Sequence, residues 1–328
     1  MKNIRRSLAA VVLSVLPLMA AENPFLGNWA LTIPGGQAGW LGVSETNGQL
    51  QASMLWAGGS PFPLSSVKVE GATLVLTRSH VDLKKMGVGR PVPQRELTMY
   101  RATLDGDTMS IATETKVDGK ITAKAQFPGK RIVPPGAAPD LSQIKFSEPI
   151  ELFNGKNLTG WRLTDPKAAS GWSVKEGLLV NNVPAKKDKH YGNLRTDREF
   201  EDFNLTLEVR VPEHGNSGVY LRGIYEVQVF DSYGKPVDCH NMGAIYGRIA
   251  PTVAAEKKPG EWQTLDITLV ERHATVILNG TKIIDNQPIL GCTGGALTSD
   301  EFKPGPIYLQ GDHTGVEYRH VVLRPAVK

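Results

Sequence analysis

Residues 208–234, EVRVPEHGNSGVYLRGIYEVQVFDSYG, are the stretch that decides the fold. Successive side chains of a strand point to opposite faces of the sheet. Tyr220 and Arg222 therefore share a face before a turn, and Glu226 and Gln228 share a face after it. A strand does not normally bury such residues, because each desolvated charge must be paired. The stretch predicts two apolar strands whose polar face is either open to water or the lining of a groove.

The composition is typical of a turn-rich β protein. The chain has 328 residues, which is enough for two ordinary domains. Its 34 glycines and 22 prolines favour short strands and turns over long helices. The net charge is +4, but part of it lies in the first six residues and the rest is mixed in sign. Without a long basic stripe, the sequence argues against a nucleic-acid partner.

The first residues have the pattern of an export signal, predicted to span residues 1–21. Lys2, Arg5 and Arg6 precede an apolar run of about 12 residues, 8–19, which is too short to cross a membrane. Two alanines follow as small residues for cleavage. A retained anchor is the alternative. No later segment is long and apolar enough to cross a bilayer, so we expect a periplasmic or secreted protein.

Cysteine is rare, with only Cys239 and Cys292 in the whole chain. In an exported protein the two could form one disulfide, Cys239–Cys292. The alternative is a pair of small buried thiols. Their spacing with histidine does not suggest a zinc site.

The first half of the chain predicts a small antiparallel β-domain over residues 22–130, a β-barrel or a β-sandwich. It opens with Gly27-Asn28-Trp29, which resembles the start of lipocalin-like barrels, and it continues as a meander. The segment 81–94 breaks the alternation and predicts a loop. A Pro-rich linker is expected over residues 131–149. The hairpin signals are Asn47-Gly48, Asp105-Gly106 and Asp118-Gly119.

The second half, residues 150–328, predicts a two-sheet sandwich. About twelve short candidate strands follow one another over this range, and Asn279-Gly280 is a strong two-residue hairpin signal. No helical pattern longer than two turns is present. The fold class is therefore all-β in both halves.

A series of long motifs in the second half resembles one known family, the 3-keto-disaccharide hydrolase domain, formerly a domain of unknown function. The resemblance covers about residues 150–326. It begins with ELFNGKNLTGW at 151–161 and ends with VLRP at 322–325. Between them lie, in order, DF at 202–203, NSGVYLRG at 216–223, YEVQV at 225–229, GAIYG at 243–247, PGEWQ at 259–263, LNG at 278–280 and GPI at 305–307.

The resemblance implies a concanavalin-like jelly roll, related in architecture to β-glucanases and legume lectins. It also implies exported bacterial proteins that act on sugars oxidised at C3. The chain departs from the family pattern in two places. Gly311-Asp312 lengthens the segment before His313, and Val209 replaces an aromatic residue. The first domain lies outside the resemblance.

A ligand of a jelly roll lies across the concave sheet, where polar members of alternating strands reach it. Hydroxyl-rich ligands favour Glu, Gln, Asn and Arg as partners, with an aromatic platform for the ring. The expected substrate is an oligosaccharide or another glycoside. The residues predicted to bind it are Glu208, Asn216, Ser217, Tyr220, Gln228, Tyr246 and Gln310.

The substrate class that the resemblance implies also suggests the chemistry. A ketone at C3 acidifies the C2 proton, so a base can remove it, the C1 oxygen can leave, and water can add back. Such a reaction needs a base, a group that stabilises the enolate, and an acid. We expect catalytic roles for Glu226, Arg222, His313 and Asp231. Glu226 or His313 would be the base or the acid, and Arg222 would stabilise the enolate.

A divalent metal is a further hypothesis. Glu208, Glu226, Asp231 and His313 offer the oxygen and imidazole ligands that Mn²⁺, Ca²⁺ or Zn²⁺ would take. Each candidate also has a structural alternative. Arg222 could form a cross-strand ion pair on a wet face, Asp231 could cap a strand end, and His313 could lie in an ordinary loop. At the level of function, the alternative to an enzyme is a non-catalytic, lectin-like carbohydrate-binding module.

Overall fold

The fold is known from a computed structural model, which describes residues 23–84, 92–184 and 189–327. Within these ranges all regular elements are β-strands, as expected for the all-β class. No helix in the described part of the chain is long and apolar enough to span a membrane. The predicted signal, residues 1–21, lies outside the described residues.

The first domain is a nine-stranded antiparallel meander, named here the curled sheet. Its strands are β1 (Gly27–Ile33), β2 (Gln37–Thr46), β3 (Gln49–Trp56), β4 (Gly58–Pro63), β5 (Ser66–Glu70), β6 (Thr73–Lys84), β7 (Val92–Asp105), β8 (Thr108–Val117) and β9 (Lys120–Ile132). The strand order is β4-β3-β2-β1-β9-β8-β7-β6-β5. The first strand therefore pairs with the last, and the two ends of the sheet, β4 and β5, are consecutive in the chain.

The curled sheet encloses its own core. Trp29, Leu31, Met54 and Leu76 are buried in it, and Phe62 of β4 packs against the same cluster. Trp29 is fixed further by a hydrogen bond from its Nε1 to the Phe25 carbonyl, 3.0 Å long. Side chains from both ends of the sheet reach this core, so the meander wraps around it.

One local prediction for this domain is wrong. The sequence predicts a loop over 81–94, but β6 continues to Lys84 and β7 begins at Val92, so both ends of this segment are paired strand. Their ladder runs without a break from Thr73 paired with Thr103 to Lys84 paired with Val92. Backbone hydrogen bonding can continue where the side-chain alternation has been lost. Residues 85–91 lie outside the described residues.

The predicted linker is shorter than expected and is attached to the second domain. The curled sheet ends at Ile132, and β10 (Lys145–Phe146) already pairs with the last strand of the chain. Between them, the Val133 carbonyl accepts a hydrogen bond from Arg272, and the Pro139 carbonyl accepts one from Asn286. These contacts hold the connection against the sandwich.

The second domain is a sandwich of two antiparallel sheets. Its strands after β10 are β11 (Ile150–Glu151), β12 (Trp161–Leu163), β13 (Trp172–Lys175), β14 (Leu178–Asn181), β15 (Leu194–Thr196), β16 (Phe203–Arg210), β17 (Asn216–Leu221), β18 (Tyr225–Phe230), β19 (Gln263–Val270), β20 (His273–Leu278), β21 (Thr281–Pro288), β22 (Tyr308–Leu309) and β23 (Val316–Val327). The long sheet has the order β13-β14-β23-β16-β19-β20-β21, with β10 and β11 paired to β23. The short sheet has the order β12-β15-β22-β17-β18.

The sandwich core fills the space between the long and the short sheet, and it extends into the first domain. Leu205 and Val219 lie in this core from the two sheets, and Trp40 and Leu55 of the curled sheet belong to the same buried cluster. The guanidinium of Arg248 lies 4.1 Å from the centre of the Trp40 ring. The two domains are therefore packed on each other and are not separated by a free tether.

Candidate functional site

The Glu226 cavity lies on the face of the short sheet that is turned away from the sandwich core. It has a volume of about 190 Å³. Most of its lining is polar or aromatic and comes from the sandwich, and two glycines come from the curled sheet. The lining residues are Gly58, Gly59, Asn193, Asn216, Tyr220, Glu226, Gln228, Tyr246, Gly294, Gly295, Tyr308, Gln310, Asp312 and His313.

The hairpin of β17 and β18 supplies the centre of this cavity. Tyr220 pairs directly with Glu226 across the two strands, and Gly218 pairs with Gln228. Asn216 lies two steps further along the same face, as the period of a strand requires. A Cβ at Gly218 would lie 2.2 Å from Oε1 of Glu226. The glycine therefore provides the space that the Glu226 carboxyl occupies.

Glu226 is a buried carboxylic acid whose surroundings favour the protonated form. The hydroxyl of Tyr220 lies 2.9 Å from Oε2 of Glu226 and 2.6 Å from the Gly294 carbonyl. A phenol has one hydrogen, so it cannot donate to both oxygens. If Glu226 carries a proton, it donates to Tyr220 and Tyr220 donates to Gly294, so every group is satisfied.

Electrostatics lead to the same protonation state. Burial raises the pKa of Glu226 to about 8, the Tyr220 hydrogen bond opposes this rise, and the negative charge of Asp312 adds to it. Only 3% of the residue is exposed. At neutral pH, Glu226 is therefore mainly a neutral acid that can give a proton to a bound molecule.

Two stacked tyrosines form an aromatic wall of the Glu226 cavity. The rings of Tyr220 and Tyr308 lie 3.9 Å apart, centre to centre, with an angle of 11° between their planes. The Tyr308 hydroxyl donates to the Gly295 carbonyl at 2.9 Å. Burial raises the pKa of both phenols well above their ordinary value, so both hydroxyls remain neutral.

Two glutamines of the cavity have buried oxygens without a hydrogen-bond partner, Oε1 of Gln228 and Oε1 of Gln310. The Nε2 of Gln228 donates to Oδ1 of Asn216 at 3.3 Å, which leaves its oxygen directed elsewhere. Buried polar atoms are normally paired, and a side-chain amide oxygen accepts from hydroxyls. The pair therefore suits a ligand that carries hydroxyl groups.

His313 and Asp312 lie at the mouth of the cavity as a hydrogen-bonded pair. The Nδ1 of His313 lies 2.7 Å from Oδ1 of Asp312. A proton on Nδ1 is held by the carboxylate, which leaves Nε2 with the lone pair of a base. His313 is exposed and can therefore meet a ligand that enters.

Tyr246 lies on the rim of the cavity and connects it with the first domain. Its ring meets the His240 ring edge to face, with 5.2 Å between the ring centres. The same His240 ring contacts the curled sheet, because its Nε2 lies 2.7 Å from Oγ of Ser60 in β4. His240 therefore connects Ser60 of the curled sheet with Tyr246 on the rim of the cavity, through one hydrogen bond and one ring contact.

Arg222, predicted to lie beside Glu226, is outside this cavity. The strand β17 ends at Leu221, and Arg222 has a φ of 56°, so the two-residue alternation stops before it. Its guanidinium is buried and donates to the carbonyls of Glu301 and Lys303. The expectation that one face carries both Arg222 and Glu226 is therefore wrong.

Glu208 is also placed elsewhere, in the long sheet. Along β16 buried and half-buried residues alternate, and Glu208 is on the half-buried outer side. Its carboxylate pairs with the Arg319 guanidinium and lies 3.4 Å from Nδ1 of His320. Glu208 therefore forms an ion pair on a sheet face, with Arg319 of β23 as its partner and not with Arg222.

Two further candidates stabilise the backbone around β17. Oδ2 of Asp231 accepts a hydrogen bond from the His214 amide at 2.8 Å, which fixes the turn before β17. Ser217 points into the sandwich core, where its hydroxyl donates to the Gln310 carbonyl at 2.8 Å and lies 3.0 Å from the Tyr318 hydroxyl. Neither side chain lines the Glu226 cavity.

The four predicted metal ligands therefore do not come together. Glu226 and His313 line the cavity, whereas Glu208 and Asp231 lie in other parts of the sandwich. Among the described residues, no group of three or more His, Cys, Asp or Glu side chains is arranged to hold a metal ion. The predicted set does not fit a metal.

The possible disulfide is not formed, and of the two thiols only that of Cys292 is buried as the alternative expects. Both cysteines are free. Burial raises the pKa of the Cys292 thiol to about 12, and its Sγ lies 3.8 Å from the Gly39 carbonyl of the curled sheet. Cys239 is half-buried, with its Sγ 3.7 Å from Nδ1 of His240.

Several lining residues were missed in the sequence. Tyr308 is two residues before Gln310, so the strand period would have placed it on the same face. Asp312 directly precedes a candidate histidine, which was a usable signal for a hydrogen-bonded pair. Gly58 and Gly59 lie in another domain, and nothing local in the sequence connects them with the cavity.

Comparison with known proteins identifies the sandwich. The profile of the family described as the 3-keto-alpha-glucoside-1,2-lyase-like domain matches residues 148–324, more than half of the chain. A 3-keto-disaccharide hydrolase of Bacteroides thetaiotaomicron is 28% identical over 148 residues, which are 36% of this chain and 51% of that protein. The chain thus spans about half the length of this curated relative. The curled sheet lies outside the residues matched by the profile.

Two solved structures from Parabacteroides distasonis, each of a candidate glycosyl hydrolase, are also similar. One is 26% identical, covers 55% of this chain and 100% of its own, and has a TM-score of 0.42. The other is 19% identical, covers 54% of this chain and 93% of its own, and has a TM-score of 0.43.

Proposed function

The chain belongs to the family of 3-keto-alpha-glucoside-1,2-lyase-like domains, and from this premise we propose that it cleaves 3-keto-glycosides, 3-keto-disaccharides in particular. The name of the Bacteroides thetaiotaomicron relative supports the substrate class. The observation that carries the proposal is the buried Glu226 carboxyl, in contact with the Tyr220 hydroxyl, in a cavity that also contains the His313–Asp312 pair.

The first step is removal of the proton at C2. The ketone at C3 makes this proton acidic, because the resulting charge spreads onto the ketone oxygen. Nε2 of His313 takes the proton, while Asp312 holds Nδ1–H and fixes the orientation of the ring. The electron pair of the C2–H bond forms the C2–C3 double bond of an enolate.

The enolate oxygen needs hydrogen-bond donors that are in place before the reaction. Arg222 was expected to provide them, but it lies outside the Glu226 cavity. The side-chain amide of Asn216 is a neutral donor that lines it, and it is assigned to the enolate oxygen. The unpaired oxygens of Gln228 and Gln310 are assigned to the sugar hydroxyls, from which they would accept hydrogen bonds.

The second step breaks the glycosidic bond. The enolate electrons form the C1–C2 double bond as the C1–O bond breaks, and Glu226 donates its proton to the departing oxygen. Water then adds at C1 and gives a proton to the Glu226 carboxylate, while His313 returns a proton to C2. The sum is hydrolysis, with both residues restored, and it proceeds without an oxocarbenium ion. No step is assigned to a metal, because the predicted ligands do not assemble.

The proposal includes export. Residues 1–21 carry the signal pattern, and the enzyme is proposed to act in the bacterial periplasm or outside the cell.

The experiment is to incubate the purified protein with a 3-keto-glucoside in D₂O and to follow both release of the aglycone and deuterium at C2 of the sugar. Deuterium incorporation is expected, because the C2 proton exchanges with solvent in this mechanism. Release without deuterium would contradict the elimination route. Binding of the glycoside without any release would favour the lectin-like module instead. The unoxidised glucoside is the matched control and is not expected to react.

A further inference from the structure

The curled sheet contributes to the Glu226 cavity through one short segment, Ala57–Ser60, where β3 turns into β4. This segment packs main chain against main chain on the dipeptide Gly294-Gly295 of the sandwich. The Gly295 amide donates to the Ala57 carbonyl at 2.8 Å. A Cβ at Gly294 would lie 2.2 Å from the Gly59 carbonyl oxygen, so this close approach requires glycine.

The same dipeptide supports the acid. The Gly294 carbonyl accepts a hydrogen bond from Tyr220, whose hydroxyl also contacts Glu226. The Gly295 carbonyl accepts one from Tyr308. The dipeptide therefore lies between the Ala57–Ser60 segment on one side and the tyrosine wall of the cavity on the other.

A second attachment holds the segment at the rim. Oγ of Ser60 lies 2.7 Å from Nε2 of His240, and the His240 ring packs against Tyr246, which lines the cavity. The segment is thus fixed at two points, by a backbone hydrogen bond and by a side-chain hydrogen bond. A loop fixed in this way is suited to shape a binding site.

We propose that the Ala57–Ser60 segment is a wall of the substrate site that restricts the cavity to a single terminal sugar. The inference rests on the proposed function for the identity of that sugar. The cavity volume of about 190 Å³ is below the roughly 300–1,000 Å³ of most ligand pockets. It suits one sugar ring, and the Ala57–Ser60 segment is assigned to the side on which a longer chain would continue. The first domain is then a specificity element for the second.

Gly58 is the position at which this wall can be changed. It lines the cavity, and a Cβ built on it meets no atom within 4 Å. A side chain can therefore be added to this cavity-lining residue without a clash in the fold. Gly136 is the matched control, because its Cβ also meets no atom within 4 Å and it does not line the cavity.

The experiment compares two trisaccharides, one with the 3-keto group on its terminal sugar and one with it on the central sugar. Wild type is expected to cleave the terminal form with a kcat/KM about 100-fold higher. Gly58→Leu is expected to lower cleavage of the terminal form by about 100-fold. Gly58→Ala adds only a methyl group, folds in the same space and is expected to lower it by about tenfold. Gly136→Leu is expected to change it by less than about threefold.

Equal cleavage of both trisaccharides by wild type, or full activity of both Gly58 variants, would contradict the proposed role of the Ala57–Ser60 segment. Neither result would contradict the proposed function. If wild type cleaves neither trisaccharide, the proposed function fails. The role of the Ala57–Ser60 segment is then tested separately, by calorimetric measurement of the binding of glucose and 3-keto-glucose. Binding by wild type that is lost in Gly58→Leu and kept in Gly136→Leu would support it. Equal binding by Gly58→Leu, or no binding at all, would overturn it.

Discussion

The hairpin of β17 and β18 buries one basic and one acidic residue, Arg222 and Glu226, and the fold accommodates the two in different ways. Arg222 keeps its charge and gives its hydrogens to the main-chain oxygens of Glu301 and Lys303. Glu226 loses its charge by binding a proton, since burial raises its pKa to about 8. A proton can be passed to a substrate, whereas hydrogen bonds to the main chain only hold the fold. The comparison teaches that a buried ionisable residue indicates a functional site when it is neutralised by a proton that it can transfer. A buried residue held only by main-chain hydrogen bonds has a structural role.

The largest expected effect comes from Glu226→Gln. The amide keeps the size of the side chain and its hydrogen bond to Tyr220, but it cannot donate a proton to the leaving oxygen. Aglycone release should fall by about 10²–10⁴-fold, the usual contribution of a general acid. Steady-state kinetics on a 3-keto-glucoside measure it, with a melting curve as the folding control. Unchanged release would remove Glu226 from the mechanism and end the contrast with Arg222.

The second effect is on stability as a function of pH. The folded-state pKa of Glu226 is raised by burial from its ordinary value of 4.5 to about 8. Its contribution to stability is therefore fully present below about 4.5 and is lost as pH rises through about 8. Each pKa unit corresponds to about 1.4 kcal/mol, so we expect a decline of a few kcal/mol across this range.

Burial also raises the pKa of Glu301, so the wild-type decline contains more than one group. Only the difference between wild type and Glu226→Gln isolates Glu226. Denaturant unfolding at pH 5 and pH 9 should show a smaller loss for the variant. Parallel curves for the two proteins would mean that Glu226 is not protonated in the fold.

The third effect is that of Arg222→Ala, which should destabilise the protein without disabling it. Removal of the guanidinium leaves buried carbonyls unpaired, and a lost charge-assisted hydrogen bond costs about 1.5–3 kcal/mol. The free energy of unfolding measures the loss, and kcat/KM of the folded protein should change little. A variant with wild-type stability and no activity would return Arg222 to the catalytic site.

The fourth effect tests the base. Asp312→Asn removes the carboxylate that holds Nδ1–H of His313, so the ring loses its preferred tautomer and orientation. We expect release to slow by about 10–100-fold, the range seen for groups that orient a functional histidine. Exchange of the C2 proton into D₂O should slow by the same factor. Slower release with unchanged exchange would assign Asp312 to the later step.

The smallest effect is expected for Glu208→Gln. This carboxylate pairs with Arg319 on the outer side of the long sheet, where water weakens the interaction. Surface ion pairs contribute about 0–1 kcal/mol, so the melting temperature should hardly change. Activity should be that of wild type. A strong loss of turnover would support the earlier assignment of Glu208 to substrate or metal.

Much of the site followed from local pattern. The strand period placed Tyr220, Glu226 and Gln228 on one side of the hairpin, and these residues line the cavity. It failed for Arg222 because the period holds only inside a strand, and β17 ends one residue earlier. It also failed for Glu208, because two strands that both alternate can belong to different sheets of a sandwich.

The amino-acid sequence by itself determined the all-β class, most of the strands and the family of the second domain, because these depend on residues that are close together in the chain. Only the tertiary structure decided which polar side chains meet. The pKa of Glu226 depends on burial by distant segments, and the contact of Gly59 with Gly294 joins residues from two domains. Desolvation and packing depend on the residues that surround a side chain in space. Most of these residues are distant in the chain, so the local sequence does not determine either property.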